Sequence, residues 1–269
     1  MDLIQALILG LVEGITEYLP VSSTGHLLIA QHLLGIEENE ISHAYAIAIQ
    51  AGAILAVLGL YRQRVGQMLQ GVLGRNAAGG KLAVCVVVAF LPAAVLGLLF
   101  DKKIEQHLFG VMPVIGAWVI GAALILVLSG WIRSRREGKD LLALDWRSAL
   151  LIGFAQAIAM WPGTSRSLVT ILGGLAVGLS MPAAVEFAFL LGLITLTAAT
   201  GYKSLKLGDG MVATYGLPVL LAGFAMAWVS AALAVKWMVA WLNRHGLAIF
   251  AWWRIAAAAL ALLLVHGGT

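Results

Sequence analysis

The chain has 269 residues, 17 of them Lys or Arg and 13 Asp or Glu, so that 11% are charged against 61% hydrophobic; mean hydropathy is +0.96. A soluble domain carries about 25% charged residues, so a soluble globule is excluded, as is a disordered chain, which needs low hydrophobicity and high charge. The apolar runs are continuous rather than alternating, which excludes an outer-membrane barrel and leaves an all-α integral membrane protein.

The first apolar stretch, residues 3–34, is broken midway by Pro20-Val21-Ser22-Ser23-Thr24-Gly25-His26. No basic run precedes it and it carries Glu13 and Glu17, so it does not read as a cleaved signal peptide. Each half is too short to span comfortably. An acidic loop at 37–40 leads to a span at 44–60. The loop 61–81 carries Arg62, Arg64, Arg75 and Lys81, and is followed by a span at 82–100. That span holds Cys85, a single cysteine that rules out an intrachain disulfide. In the loop 101–109, Lys102 and Lys103 are offset by Asp101 and Glu105. A span at 110–131 leads into a basic loop, 130–147, with Arg133, Arg135, Arg136, Lys139 and Arg147.

A second broken stretch follows at 149–179, interrupted by Pro162-Gly163-Thr164-Ser165-Arg166-Ser167. Spans at 183–200 and 247–265 read cleanly. Residues 210–242 are longer than one span requires, so that span is expected to tilt or start in the interface. Basic loops mark the cytoplasmic side, which puts 61–81 and 130–147 inside and 37–40 and 101–109 outside. Lys203 and Lys206 outside against Arg244 inside fit less decisively. The net charge of +4 is read as this loop excess and not as a nucleic-acid footprint.

The two broken stretches resemble each other. Gly10-Leu-Val-Glu13-Gly-Ile15-Thr-Glu-Tyr18-Leu-Pro20 lies against Gly153-Phe-Ala-Gln156-Ala-Ile158-Ala-Met-Trp161-Pro162, with a one-residue gap before the proline. Ser23 and Ser165 then each fall three residues after their proline. Tyr45 to Arg62 runs like Phe187 to Lys203. Each half, about 1–135 and about 146–269, reads as a re-entrant helix hairpin plus three transmembrane helices. Three is odd, so the second half enters from the opposite side, giving an inverted-topology repeat within a single membrane domain. Irregular backbone at membrane depth must be buried or face a water-filled cavity. The two tips are therefore expected to converge on one polar cavity.

Charged groups at membrane depth are costly and mark function. Glu13 and Glu17, four apart, share a helical face; a divalent cation or a shared proton would each relieve their repulsion. Ser22, Ser23 and Thr24 offer hydroxyls to a helix cap, to an anion or to nucleophilic chemistry, and His26 can serve as base, acid or nucleophile. Thr164, Ser165, Arg166 and Ser167 form the opposing tip. There Arg166 either clamps phosphate with its planar fork or pairs with Glu13 or Glu17. Glu186, at the cytoplasmic interface, is expected to snorkel or cap. Gln50 and Gln156 either support the site or bond a neighbouring helix. The whole set suits phosphoryl transfer, in which positioning and charge neutralisation dominate.

The stretch Glu13-Gly-Ile-Thr-Glu17-Tyr-Leu-Pro20-Val-Ser22-Ser23-Thr24-Gly25-His26-Leu27 resembles the signature of bacterial undecaprenyl-diphosphate phosphatases of the bacitracin-resistance type. Pro162 to Ser167 resembles that family's second motif, and the resemblance extends through Gln50 and Glu186-Phe187 over essentially the whole chain. It implies hydrolysis of a polyprenyl diphosphate carrier lipid to the monophosphate and phosphate, in the bacterial inner membrane, with a pocket open to the outer face. It implies a divalent cation, Mg or Ca, associated with Glu13 and Glu17. Ser23 and His26 are then candidates for nucleophile and proton transfer, and Arg166 for the phosphate clamp. Ser22, Thr24, Thr164, Ser165 and Ser167 are expected to bind substrate. A homodimer is the expected assembly, and no nucleic acid is bound. Leu168-Val169 stands where the family often has Gly-Ala, which alters packing behind Arg166. The rival reading is a transporter or flippase of a phosphorylated lipid or anion, since inverted repeats with re-entrant tips also build transporters.

Overall fold

The computed structural model describes residues 1–37, 39–134 and 137–267. Glu38, Arg135 and Arg136, which entered the loop-charge argument, lie outside the described residues, as do the side chains of Asp101, Lys102 and Glu105. The described residues form α-helices and short 3-10 turns, with no β-strand among them. Among the described residues, five helices are long and apolar enough to cross a bilayer. These are α3 (Glu40–Leu60), α5 (Ala77–Leu108, apolar to Phe100), α10 (Met181–Tyr215), α11 (Leu217–His245) and α12 (Ala248–Gly267, apolar to Val265). α6 (Val111–Val127) is strongly apolar but has 17 residues, about 25 Å of helix.

The first broken stretch folds as α1 (Leu3–Thr16) and α2 (Ser23–Leu33). At 14 and 11 residues they are about 21 and 16 Å long, well short of the ~30 Å hydrocarbon core. They fold back on each other. Gln5, which closes the capping box with Asp2 at the start of α1, also donates its side-chain amide to the Leu34 carbonyl just past α2, at 3.0 Å. The start of one helix therefore meets the end of the other. α1 is held against α11 by small residues: a Cβ on Gly10 would overlap the Gly223 carbonyl, and one on Gly14 would overlap the Ser230 hydroxyl. The Ser230 hydroxyl donates to the Met226 carbonyl of its own helix at 2.7 Å and lies 3.3 Å from the Gly10 carbonyl. Such glycine-lined crossings replace the hydrophobic drive that is missing between helices in lipid.

The second broken stretch folds as α8 (Trp146–Ala157), a 3-10 turn (Ile158–Met160) and α9 (Arg166–Ala176). Asp145 caps α8, accepting from the amides of Arg147 and Ser148. Gly173 of α9 packs against Ile152 and Ala155 of α8. α10 runs through the centre of the molecule, with Phe187, Phe189, Leu190 and Leu191 fully buried. It crosses α3, where the Thr200 hydroxyl donates to the Ile47 carbonyl at 3.2 Å. α12 packs against α6.

Several elements differ from the expectations. The stretch 210–242 is not one span: α10 continues to Tyr215 and α11 starts at Leu217. Gly216, at φ 77°, reverses the chain, and Pro218 opens the next helix in the first turn, where its missing N–H costs nothing. The loops read at 61–81 and 101–109 are largely helical. α4 (Arg62–Val72) fills most of the first, and α5 runs on through the second to Leu108. Glu186 does not cap α10, whose N-cap is Ser180; it accepts from Arg64 of α4 at 2.7 Å.

Candidate functional site

The tips of the two hairpins meet. Each turns through a serine held in the left-handed region, Ser22 at φ 70° and Ser165 at φ 74°. This backbone costs a non-glycine residue about 1–3 kcal/mol and persists only where the surroundings impose it. Around Ser22, the Trp118 indole N–H donates to the Val21 carbonyl at 2.9 Å. The His26 Nδ1 lies 2.7 Å from the Ser22 carbonyl. Ser165 caps α9 by accepting from the Leu168 amide at 3.2 Å. The residue after each strained serine opens a helix: Ser23 begins α2 and Arg166 begins α9. The prolines do not match in this way. The sequence comparison paired Ser23 with Ser165, whereas the backbone pairs Ser22 with Ser165 and Ser23 with Arg166.

Between the tips lies a cavity of about 140 Å³ lined by Glu17, Ser22, Ser23, Thr24, Gln50, Pro162, Gly163, Ser165 and Arg166. Glu17 is its hub. One carboxylate oxygen accepts a short hydrogen bond from the Ser23 hydroxyl. The other accepts from Arg166 Nη2 at 3.0 Å. Both members of the Glu17–Arg166 pair are largely buried, with 5% and 11% of their side-chain surface exposed. The Arg166 guanidinium also sits 5.6 Å from the Tyr18 ring centre. Gly192 of α10 makes room for it, since a Cβ there would overlap the guanidinium. Two helix starts, a fixed cation and hydroxyls facing one small cavity are chemically suited to an anion.

Glu17, Ser22, Ser23, Thr24, Ser165 and Arg166 thus line one cavity, and Gln50 joins them. Four other residues expected at the site do not. The Ser167 hydroxyl donates to the Glu17 carbonyl at 3.2 Å and so braces one tip on the other. Thr164 takes part through its backbone. His26 is turned away: its Nε2 accepts from the Trp253 indole N–H at 2.9 Å, so the ring proton sits on Nδ1, facing Ser22. Its ring packs between those of Trp118 and Trp253. Glu13 is fully buried one turn before Glu17; its carboxylate contacts the Glu17 carboxyl and has no other hydrogen-bond partner.

The orphaned Glu13 carboxylate bears on the expected cation. A buried carboxylate without a donor calls for a proton or a positive ion. Hard divalent cations take such oxygens, so Glu13 together with Glu17 fits one. Among the described residues no cluster of three or more His, Cys, Asp or Glu side chains exists. The remaining ligands would have to be water or phosphate oxygens, as is usual for Mg²⁺.

One buried charge beside the tips escaped the sequence reading. The span at 247–265 reads cleanly from the sequence, yet it contains Arg254, which is 0% exposed. Its Nε donates to the Pro20 carbonyl at 2.8 Å and its Nη2 to the Thr164 carbonyl at 2.7 Å. The signal was present: an arginine in the middle of an apolar run, the same anomaly that marked Arg166.

A smaller apolar groove of about 80 Å³ adjoins the polar cavity, sharing Thr24, Gln50 and Pro162 with it. Leu27, Leu28, Ile47, Phe109 and Val114 supply most of the remaining lining, with Gln31 and His43 among them.

Known proteins resemble the chain along its length. The family model described as "Bacitracin resistance protein BacA" matches residues 6–260. "Undecaprenyl-diphosphatase 2" of Rhodospirillum rubrum is 44% identical over 272 residues, covering 99% of this chain and 96% of the relative. The "Undecaprenyl-diphosphatase" of Sorangium cellulosum is 43% identical, covering 97% of this chain and 85% of its own. That of Methylococcus capsulatus is 42% identical, covering 99% and 96%.

Proposed function

The chain belongs to the bacitracin resistance protein BacA family, and from that membership and the donor set of its cavity we propose that it hydrolyses undecaprenyl diphosphate to the monophosphate and inorganic phosphate. The observation that carries this reading is Glu17, which binds a hydroxyl with one oxygen and a guanidinium with the other. The terminal phosphate enters the cavity and takes the Arg166 fork together with the N–H groups that open α2 and α9. The prenyl chain leaves through the adjoining apolar groove.

Ser23 Oγ attacks the terminal phosphorus while its proton passes to Glu17. The new O–P bond forms as the bond to the bridging oxygen breaks. The leaving group is a phosphate monoester, which needs no proton to depart. Water then attacks the phosphoserine: its oxygen and both hydrogens leave on the phosphate, and Glu17 returns its proton to Ser23 Oγ. Glu13 and Glu17 would hold the divalent cation, which supplies charge neutralisation on the phosphate oxygens. In this scheme His26 supports the strained Ser22 turn through its Nδ1–H and does not handle the leaving group.

The topology belongs to the same proposal. One constant separation in numbering relates Gly10 to Gly153, Glu13 to Gln156, Ser22 to Ser165 and Ser23 to Arg166. It also carries α2 (Ser23–Leu33) onto α9 (Arg166–Ala176) residue for residue. This register needs no gap and supports two halves of inverted topology with re-entrant tips. The loop charges then favour an inner membrane with the cavity reached from the outer face.

Purified protein should release phosphate from undecaprenyl diphosphate, stop on addition of EDTA and recover with Mg²⁺ or Ca²⁺. Substrate binding or transport without phosphate release would instead favour the transporter reading. Against that reading, the Ser23–Glu17 pair supplies a nucleophile and a base that anion passage does not require.

A further inference from the structure

We propose that Arg254 is a positioning residue of the reaction, fastening the two hairpin tips to each other and so setting the distance between Ser23 and Arg166. The inference rests on the phosphatase reading and adds to it a residue from a third segment, the last helix. The guanidinium of Arg254 is fully buried, and its partners are all main-chain carbonyls: Pro20 at 2.8 Å, Thr164 at 2.7 Å, Gly163 at 3.4 Å and Ala117 at 3.5 Å. Among the described ion pairs none involves it. A charge buried in this way is not a stability device, because a buried cation costs several kcal/mol that neutral carbonyls only partly return. What it supplies is geometry. A guanidinium donates in one plane at fixed angles, so carbonyls from two separate hairpins are held in one relation.

The choice of carbonyls is informative. The Thr164 carbonyl belongs to the peptide unit that leads into Ser165, and the Pro20 carbonyl lies two residues before Ser22. Ser165 and Ser22 are the two strained residues of the tips. Holding the peptide unit before Ser165 keeps that residue in its left-handed conformation, and the next residue is Arg166. On the other tip Arg254 shares the task with Trp118, which holds the Val21 carbonyl. Space is reserved for the guanidinium as well, since a Cβ on Gly121 of α6 would overlap it. Its neighbour Trp253 binds His26, so two adjacent residues of α12 reach both tips. A displacement of about 1 Å at reacting groups can cost about a hundredfold in rate.

The test uses the full chain in detergent or nanodiscs. Nitroxides on Thr24→Cys and Ala159→Cys, which line the cavity from the first and the second hairpin, with Cys85→Ala, report the distance between the tips by dipolar broadening of the electron resonance spectrum. In parallel, phosphate release is measured for Arg254→Lys, Arg254→Ala and Gly121→Ala without labels. We expect Arg254→Ala to broaden the distance distribution and to lower turnover by about a hundredfold. Added ethylguanidinium should restore both readouts, while tetramethylammonium at equal concentration restores neither. Arg254→Lys keeps the charge without the planar fork and is expected to fold, to broaden the distribution and to turn over more slowly. An unchanged distance distribution in folded Arg254→Lys or Arg254→Ala would overturn the proposal, as would wild-type turnover in either. If the wild type itself releases no phosphate, the phosphatase reading fails, while the distances still decide whether Arg254 fastens the tips.

Discussion

Arg166 and Glu17, 149 positions apart in the chain, meet at 3.0 Å across the contact between the two hairpins. Neither hairpin holds the whole site: the first brings the hydroxyl and the carboxylate, the second brings the guanidinium. Substrate phosphate would compete with Glu17 for that guanidinium. As Arg166 turns toward phosphate, the Glu17 oxygen that it held is released, while the other oxygen keeps the Ser23 hydroxyl.

Glu17→Gln keeps the shape and removes the base. Turnover is expected to fall by about 10²–10⁴-fold, the usual yield of positioned general-base catalysis. Ser23→Ala should lose at least as much, and the phosphoserine trapped by acid quench in the wild type should be missing. Full activity in Ser23→Ala would remove the covalent serine step.

Gly192→Ala tests the Arg166 clamp without touching it. The added methyl occupies the volume of the guanidinium, the movable end of a flexible side chain, so Arg166 is expected to shift while the fold stays intact. KM should rise about tenfold or more, because one charge-assisted hydrogen bond is worth about 1.5–3 kcal/mol. Thermal stability in detergent should change little. An unchanged KM would indicate that Arg166 does not bind the substrate phosphate.

Glu13→Gln tests the cation. Removing one carboxylate should shift the Mg²⁺ or Ca²⁺ concentration for half-maximal activity upward by about tenfold or more. The variant should remain folded, since the fully buried side chain keeps its size. A metal titration identical to that of the wild type would place the cation elsewhere.

Asp145 gives a pH test remote from the cavity. Hydrogen bonds from the Ser148 amide and hydroxyl, with a further amide bond from Arg147, hold its carboxyl below the usual carboxylate range. A depressed folded value means that the contribution to stability is present above the ordinary carboxylate pKa and is lost as pH falls through the folded one. Melting curves of the wild type and Asp145→Asn should therefore differ at neutral pH and converge under acid conditions. A gap that persists in acid would argue against the charged cap.

Much of this was legible in the order of the residues. Composition required helices in a membrane. Two interrupted apolar stretches marked the tips, because polar side chains and proline at membrane depth carry a cost that function must explain. Glu17, Ser23 and Arg166 stood out for that reason and do share one cavity. Three features were not legible. Gly216 splits a continuous apolar run through its backbone conformation, which periodicity does not report. Glu13 and His26 lie beside the right segments, but only packing could turn His26 onto Trp253 and leave Glu13 without a donor. Arg254 was hidden inside an apolar run, with partners 90 residues away in Thr164 and 234 away in Pro20. Sequence by itself determined the chemistry available to the site, since that follows from side-chain identity. Only the tertiary structure decided which groups meet, because hydrogen bonds and ion pairs between distant segments depend on ångström distances that no linear spacing encodes.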